Sequence, residues 1–229
     1  MQPQQQQQQQ QQKQHAIAFV SLHPPTVRAL AEAFRDLSSH VTCTVADVRD
    51  LPISPGTMFV SPANSIGFMD GGIDAAYMAM FPGVQRAVQA QIRCLGKKTA
   101  LGRYYLPVGS AVVVPVGFEC ALVSAPTMFL PHDVSATRNA YHAMMAALMA
   151  YAKHATCTRL VATGLCCGYG KMDPVVSAGQ VREAYDDFVR GSVPLEIERL
   201  ADPAFVVTRS RDDEQPRNFD NREIHVVYE

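Results

Sequence analysis

Short apolar runs alternate with longer segments of helical period from residue 15 to residue 190, and this alternation is the strongest constraint on the fold. Short runs rich in β-branched residues are typical of strands, whereas apolar residues three and four positions apart are typical of helices. The pattern predicts strands over residues 16–22, 41–45, 57–61, 110–116, 121–124 and 159–163. It predicts helices over residues 24–37, 72–95 with an interruption at Pro82 and Gly83, 136–154 and 174–190.

The order of these elements indicates the fold class. They follow one another as β-α-β-β-α-β-β-α-β-α. Strands joined through a helix pair in parallel, because the helix carries the chain back along the sheet. We therefore predict an α/β fold, a three-layer α/β/α domain with a mixed, mainly parallel central sheet. Ligands of such sheets bind beyond the carboxyl ends of the strands, so the loops there are where we look for chemistry.

Two segments differ in composition from this body. Residues 2–14 are almost entirely glutamine, which buries nothing apolar, so residues 1–14 are predicted to be a disordered tail. Residues 191–229 carry 5 basic and 9 acidic residues, a net charge of −4, and leave the first 190 residues at +3. We expect residues 15–190 to form the domain and residues 191–229 to form an acidic extension. One option for the extension is that it packs on the domain and that residues 205–208 and 224–228 form a small hairpin.

Composition excludes several classes of function. The chain has 20 Lys+Arg and 21 Asp+Glu, a formal charge of −1, which disfavours generic binding to duplex nucleic acid. The longest weakly polar stretch is residues 140–152. A helix needs about 20 residues to cross a bilayer, so no membrane span is expected. Six cysteines lie unevenly in a chain large enough to fold without disulfides, which indicates free thiols in a reducing compartment. We expect the cytoplasm, with the nucleus also compatible.

The loop after the second predicted strand contains Asp47, followed by Val48. A carboxylate at the end of a strand can accept hydrogen bonds from an exocyclic amine or a ribose hydroxyl. An aspartate at such a position more often turns the chain or caps a helix. Taken by itself, the position favours this second interpretation.

The loop after the third predicted strand begins at Ser61 and runs into a helix. Gly71 and Gly72 allow backbone amides to approach a ligand, and the helix start offers unpaired N–H groups, so the position suits a phosphate. Asp74 lies in the first helical turn, where an acidic side chain also complements the helix dipole. A tight turn with a capped helix is therefore the alternative interpretation.

The loop after the last predicted strand reads Thr-Gly-Leu-Cys-Cys-Gly-Tyr-Gly-Lys-Met over residues 163–172. A P-loop requires glycine where Leu165 stands and a hydroxyl residue where Met172 stands, so that motif fails twice. Cys166 and Cys167 are adjacent and have no C-x-x-C partner, which favours small buried thiols over a metal site. What remains is a second glycine-rich anion site at residues 168–170.

Two phosphate-binding loops and an aspartate, each at a different strand end, suit a ligand with an adenosine-like head and a pyrophosphate. In this ordered combination the chain resembles the macrodomain family, which binds ADP-ribose and in many members hydrolyses it from proteins or processes ADP-ribose-1″-phosphate. The resemblance covers about residues 15–190. The motifs that carry it are Ala-Asp-Val at 46–48 for the family's Gly-Asp-Ile, Ser-Pro-Ala-Asn-Ser at 61–65 for Asn-Ala-Ala-Asn-Ser, Gly-Gly-Ile-Asp at 71–74, and Gly-Leu-Cys-Cys-Gly-Tyr-Gly at 164–170.

The resemblance implies a role for each matched position. Asp47 would accept the adenine amine and Val48 would supply a backbone contact. Asn64 would bind the distal ribose, and Asp74 would activate water for attack at the anomeric carbon. The pyrophosphate would be held, without metal or other cofactor, by backbone amides of the two glycine-rich loops, whose candidate residues are Gly71, Gly72, Ile73, Gly164, Cys167, Gly168, Tyr169 and Gly170.

The chain also departs from the family pattern. Ser61 replaces the first Asn of the family motif, and the family's glycine run is reduced to Gly71 and Gly72. Asp70 is an extra carboxylate near the distal ribose, with a ligand-binding or catalytic role and a loop-stabilising role equally open. Cys166 and Cys167 replace a Ser-Thr pair, which removes two hydroxyl contacts to phosphate.

These observations lead to one prediction and two alternatives. We predict an enzyme that binds ADP-ribose or an ADP-ribosylated protein and hydrolyses terminal ADP-ribose linkages. A non-catalytic ADP-ribose reader would use the same pocket, and a nucleotide hydrolase of the P-loop type is the third possibility. The oligomeric state is not specified by the sequence, and a monomer is favoured.

Overall fold

The structure is a computed structural model and describes residues 16–192. The predicted glutamine tail and the acidic extension with its optional hairpin lie outside the described residues, apart from the first two residues of the extension. The described strands are β1 (Ala16–Ser21), β2 (Val41–Val45), β3 (Thr57–Ser61), β4 (Lys97–Lys98), β5 (Tyr104–Tyr105), β6 (Val112–Gly117), β7 (Cys120–Ser124) and β8 (Arg159–Ala162). The described α-helices are α1 (Pro24–Ala33), α2 (Gly72–Met80), α3 (Val84–Leu95), α4 (Asn139–Lys153) and α5 (Pro174–Arg190).

Six strands form the central sheet, in the order β2-β1-β8-β3-β7-β6. The first five run parallel, and β6 pairs antiparallel with β7 through a tight turn. β3 and β8 are neighbours, with Phe59 opposite Val161, so the two strands leave the sheet at nearly the same level. The loops that follow β3 and β8 therefore lie side by side, although a hundred residues of sequence separate them.

Two apolar layers cover the sheet, one on each face. On one face, α1, α4 and α5 contribute Leu30, Met144 and Val181 to a core that includes Phe19 and Met58 of the strands. On the other face, α2 and α3 pack Tyr77, Phe81 and Val88 against Phe59 and Leu122. Alternate residues of the buried strands point to opposite faces, which is why neighbours such as Met58 and Phe59 belong to different cores. The predicted α/β class, with a mixed and mainly parallel sheet between two helical layers, is confirmed.

Two helix boundaries differ from the predicted ones, and at one of them side chains compete for backbone hydrogen bonds. The predicted helix 24–37 breaks at Phe34 and continues as a 3₁₀ turn over Arg35–Leu37. The predicted helix 136–154 begins only at Asn139, because the hydroxyl of Thr137 accepts the N–H of Asn139 and the carboxylate of Asp133 accepts that of Ser135. Such local side-chain bonds hold a turn in place of a helical start.

A small antiparallel ladder of β4 and β5 was not predicted. Its strands have only two residues each, too short to give a readable alternation of apolar and polar side chains. No helix within residues 16–192 is long and apolar enough to cross a membrane.

Candidate functional site

Five parallel strands end at the same edge of the sheet, and two adjoining cavities lie beyond that edge. The first cavity has a volume of about 400 Å³ and the second of about 500 Å³. They share one boundary, whose lining residues are Ser21, His23, Gly72, Ile73 and Thr163. We call the two together the cleft.

All thirteen candidate residues from the sequence line the cleft. Asp47 and Val48 line the second cavity, and Gly72 and Ile73 line both. The remaining nine line the first cavity: Asn64, Asp70, Gly71, Asp74, Gly164, Cys167, Gly168, Tyr169 and Gly170. The structure thus brings the three predicted loops together, and the functional roles of their residues stay predictions.

Asn64 holds its own loop in shape. Its Oδ1 accepts the N–H groups of Ile66 at 3.1 Å and Phe68 at 3.3 Å, and its Nδ2 donates to the Phe68 carbonyl at 3.2 Å. An amide nitrogen carries two hydrogens, so Nδ2 keeps one for a ligand. Asn64 is therefore a residue that shapes the loop and has a single donor left for the cavity.

Asp74 is a buried carboxyl group at the wall of the first cavity. Its side chain is 7% exposed, and its Oδ1 accepts a hydrogen bond from the hydroxyl of Ser61, the last residue of β3. Burial raises the pKa of Asp74 to about 7, helped by the negative charge of Asp70 and opposed by the Ser61 bond. Within the described residues Oδ2 accepts no hydrogen bond. A carboxyl group that lines a cavity, has a pKa of about 7 and has one oxygen held by a hydrogen bond has the properties of a general base.

The start of α2 supplies backbone donors to both cavities. The N–H groups of Asp74 and Ala75 donate to the carbonyl of Gly71. Gly72 has a φ of +56°, in the left-handed region that favours glycine, so the chain can turn sharply into the helix. The N–H groups of Gly72 and Ile73 belong to the first turn and have no intrahelical acceptor. They line both cavities and remain available for an anion.

The loop after β8 supplies a second set of backbone donors. Its turn is held by hydrogen bonds from Met172 N–H to the Cys166 carbonyl and from Lys171 N–H to the Gly168 carbonyl. Cys166 and Lys171 have positive φ angles, which are uncommon for non-glycine residues and mark a tightly wound loop. In the part of the chain that the structure describes, the N–H groups of Gly168, Tyr169 and Gly170 donate to no protein acceptor.

The side chain of Tyr169 joins the two glycine-rich loops. A β-carbon at Gly71 would lie 3.1 Å from Tyr169 Cε2, so the ring lies in close contact with the Gly71 backbone. Tyr169 is nevertheless 67% exposed. Tyr169 therefore bridges the first cavity at its outer side.

The two cysteines of this loop are neutral thiols. Burial raises the pKa of Cys166 to about 12, and burial also raises the pKa of Cys167. The thiolate is the reactive form of cysteine, so neither side chain has the character of a nucleophile. No group of His, Cys, Asp and Glu within residues 16–192 has the arrangement of a metal site.

Asp47 in the second cavity has a partner that the sequence did not reveal. Both of its oxygens accept hydrogen bonds from the Arg49 guanidinium, and Oδ1 also accepts the Arg49 N–H at 2.9 Å. These bonds lower the pKa of Asp47 to about 2. The carboxylate caps the short 3₁₀ turn Val48–Asp50, as the capping interpretation held, and also lines the cavity. The two interpretations are therefore compatible.

Sequence reasoning missed the residues that reach the cleft from β1, α1 and the loop after β7. They are Ser21, His23, Thr26, Thr127, Met128 and Pro131. Their positions follow from the order of strands in the sheet, which places β1 and β7 on either side of the β8–β3 pair. The one available signal was that these residues lie at or shortly after the ends of predicted strands.

Replacing Gly164 with alanine should destabilise the fold, because a β-carbon there would lie 2.1 Å from Cγ2 of Thr26. Overpacking of this kind typically costs about 1–3 kcal/mol. Chemical denaturation should show this loss for Gly164→Ala and almost none for Gly168→Ala, where nothing lies within 4 Å. Adding Thr26→Ser, which removes the clashing methyl group, should restore part of the stability. Equal losses for the two alanine variants would contradict the packing described here.

Neither a scan against protein-family models nor a search of curated proteins finds a match to this chain. The residues and geometry of the cleft are therefore the basis for the function proposed below.

Proposed function

We propose that this protein binds ADP-ribose in the cleft and hydrolyses terminal ADP-ribose linkages, with Asp74 as the general base. The observation that carries the proposal is the position of Asp74. A buried carboxyl group with a pKa of about 7 lines the same cavity as two separate sets of unpaired backbone N–H groups. The groups proposed to bind the anion and the group proposed to transfer the proton thus line the same cavity.

The two cavities divide the ligand between them. Asp47 and Val48 place the adenine in the second cavity, where Leu22 and Ile73 supply apolar surface for a planar base. The pyrophosphate crosses the shared boundary, between the start of α2 and the loop after β8. The distal ribose then lies in the first cavity near Asn64 and Asp74. Cavities of about 400 and 500 Å³ are within the usual range for small-molecule sites.

Backbone dipoles would account for anion binding by a chain that has no net positive charge. The net charge of the whole chain is −1. Unpaired N–H groups at a helix start and in a wound loop create a local positive potential that does not depend on net charge. The pyrophosphate can therefore be held without a bound cation.

The reaction is a hydrolysis at the anomeric carbon of the distal ribose. Asp74 Oδ2 takes a proton from water while the water oxygen forms a bond to the anomeric carbon. The bond from that carbon to the protein side chain or phosphate breaks. The proton then passes to the leaving group, so the products are free ADP-ribose and the unmodified acceptor. Ser61 keeps the carboxyl group oriented through Oδ1. General-base assistance of this kind contributes about 10²–10⁴-fold to a rate.

A non-catalytic reader of ADP-ribose is the second candidate. The observation in its favour is that the amide of Asn64 is largely used within its own loop, which leaves one donor for the ribose. A reader needs affinity for ADP-ribose but no water beside Asp74. The two candidates thus agree about binding and differ only about turnover.

The setting of the activity forms part of the same proposal. The substrate is ADP-ribose on a protein or as its 1″-phosphate, and the enzyme acts as a monomer. All six cysteines carry free thiols, in keeping with the reducing environment of the cytoplasm or nucleus.

Asp74→Asn should abolish turnover and preserve binding. The amide is nearly the same size and still accepts the Ser61 hydrogen bond, but it cannot take a proton from water. Release of ADP-ribose from a mono-ADP-ribosylated protein should fall by about 10²–10⁴-fold, while calorimetry should give an ADP-ribose affinity within a few-fold of the wild type. Asp70→Asn is the matched control, since Asp70 lines the same cavity but is exposed. A larger loss in Asp70→Asn would move the base to Asp70, and wild-type binding without any release would favour the reader.

The stability of the fold and the reaction rate should both depend on pH through the titration of Asp74. Its pKa is raised from 3.8 to about 7 in the folded chain, so between these values the folded state binds more protons than the unfolded state. Stability should therefore fall as pH rises from about 4 to about 7, by at most about 4 kcal/mol. Over the upper part of this range kcat/KM should rise, because the deprotonated carboxylate is the active form.

Asp74→Asn provides the control for this pH dependence. Denaturation series at several pH values should show that the variant loses the drop in stability and is more stable than the wild type above pH 7. An unchanged stability profile in the variant would refute the titration of Asp74.

Asp47→Ala should weaken ADP-ribose binding by about tenfold, the effect of losing one hydrogen bond to a charged acceptor. Asp47→Asn keeps an acceptor oxygen in place and should retain most of the affinity. Isothermal titration calorimetry with ADP-ribose compares the two variants. An unaltered dissociation constant in Asp47→Ala would contradict the adenine position.

A further inference from the structure

His23 lies where the two cavities meet. It follows β1, immediately precedes α1, and lines both cavities. Its backbone N–H donates to the hydroxyl of Ser21 at 3.1 Å, and its ring Nδ1 lies 2.8 Å from Thr26 Oγ1. The proposed chemistry of Asp74 and Asn64 makes no use of this side chain.

The ring of His23 is held by a fixed partner. Thr26 is 2% exposed and packs against the backbone of Gly164, so its hydroxyl has little freedom to move. Oγ1 therefore anchors Nδ1, although the side chain of His23 is exposed. Within residues 16–192 the other ring nitrogen, Nε2, has no hydrogen-bond partner.

The helix that follows His23 cannot itself offer a full set of donors. Pro24 and Pro25 occupy the first positions of α1 and have no N–H groups. This differs from the start of α2, where Gly72 and Ile73 carry unpaired N–H groups and line the same boundary between the cavities. In this corner of the cleft, the side chain of His23 therefore adds a donor to the backbone N–H of Thr26, which is the first N–H group of α1.

We infer that His23 donates a hydrogen bond from Nε2 to the phosphate nearest the base of the bound nucleotide. The inference rests on the proposed function, in which the pyrophosphate crosses the boundary that His23 lines. In the proposed arrangement the Thr26 hydroxyl donates to Nδ1 and the ring hydrogen is on Nε2, the tautomer in which a neutral imidazole can donate to a phosphate oxygen. His23, Gly72 and Ile73 together surround this phosphate from two strand ends.

The test compares two substitutions that separate shape from hydrogen bonding. His23→Phe keeps a planar ring but removes the donor, whereas His23→Gln places an amide N–H about as far from the backbone as Nε2. Calorimetry with ADP-ribose and with ADP should show roughly tenfold weaker binding for His23→Phe and near wild-type binding for His23→Gln. Adenosine, which has no phosphate, should bind the wild type and both variants equally in an NMR titration.

A second substitution tests the anchor of the ring. Thr26→Val keeps the packing against Gly164 but removes the hydroxyl, so the ring loses its partner and ADP-ribose binding should weaken several-fold with adenosine unaffected. Thermal unfolding of each variant confirms that the fold is retained.

The outcomes separate this inference from the proposed function. If the wild type binds ADP-ribose and His23→Phe binds it equally well, the His23 inference is overturned and the proposed function stands. If His23→Phe weakens adenosine and ADP-ribose to the same degree, His23 contacts the nucleoside and the phosphate assignment is overturned. If the wild type binds neither ADP-ribose nor ADP, the proposed function fails and the inference fails with it.

Discussion

The pairing of β3 with β8 is the constraint on which the cleft depends. Because Phe59 and Val161 are opposite each other in a parallel ladder, the two strands end together and their loops start side by side. One loop leads to the start of α2 and the other winds around Gly168. Had the register slipped by one residue, every side chain of one strand would have changed faces, and Ser61 would no longer reach Asp74. The hydrogen bond between these two residues is thus a product of sheet register as much as of local sequence.

Much of this arrangement could be predicted from the sequence, because its causes are local. Apolar runs specified the strands, and glycines beside strand ends marked two of the loops that line the cleft. The macrodomain resemblance used the same local signals, and it concerns motifs that the structure now brings to one edge of the sheet. What periodicity could not provide was the order of strands in the sheet. That order decides which loops become neighbours and places His23 beside Gly72.

The hydrogen-bond partners and surroundings of the site residues could not be predicted from the sequence, for a related reason. Arg49 is two residues from Asp47, yet nothing in the pattern says that a surface arginine turns back onto that carboxylate. Asn64 was predicted to serve a ligand, and most of its hydrogen bonds instead hold residues 66–68. The raised pKa of Asp74 depends on the burial of its side chain at the start of α2, which exists only in the folded chain. In each case the missing information was a three-dimensional environment rather than a residue type.

The placement of Asp74 also creates a conflict that the cleft has to resolve. If the cleft binds a pyrophosphate as proposed, the added negative charge opposes loss of the Asp74 carboxyl proton, just as Asp70 does in the free protein. In the proposed reaction, the anion that anchors the substrate therefore hinders deprotonation of Asp74, the base that activates the attacking water. Unpaired N–H groups of Gly72 and Ile73 lie at the start of the helix that carries Asp74, and their dipoles offset part of the phosphate charge where it is felt most. On this argument the backbone donors have two functions, since they hold the ligand and keep the pKa of Asp74 low enough for it to accept a proton from water.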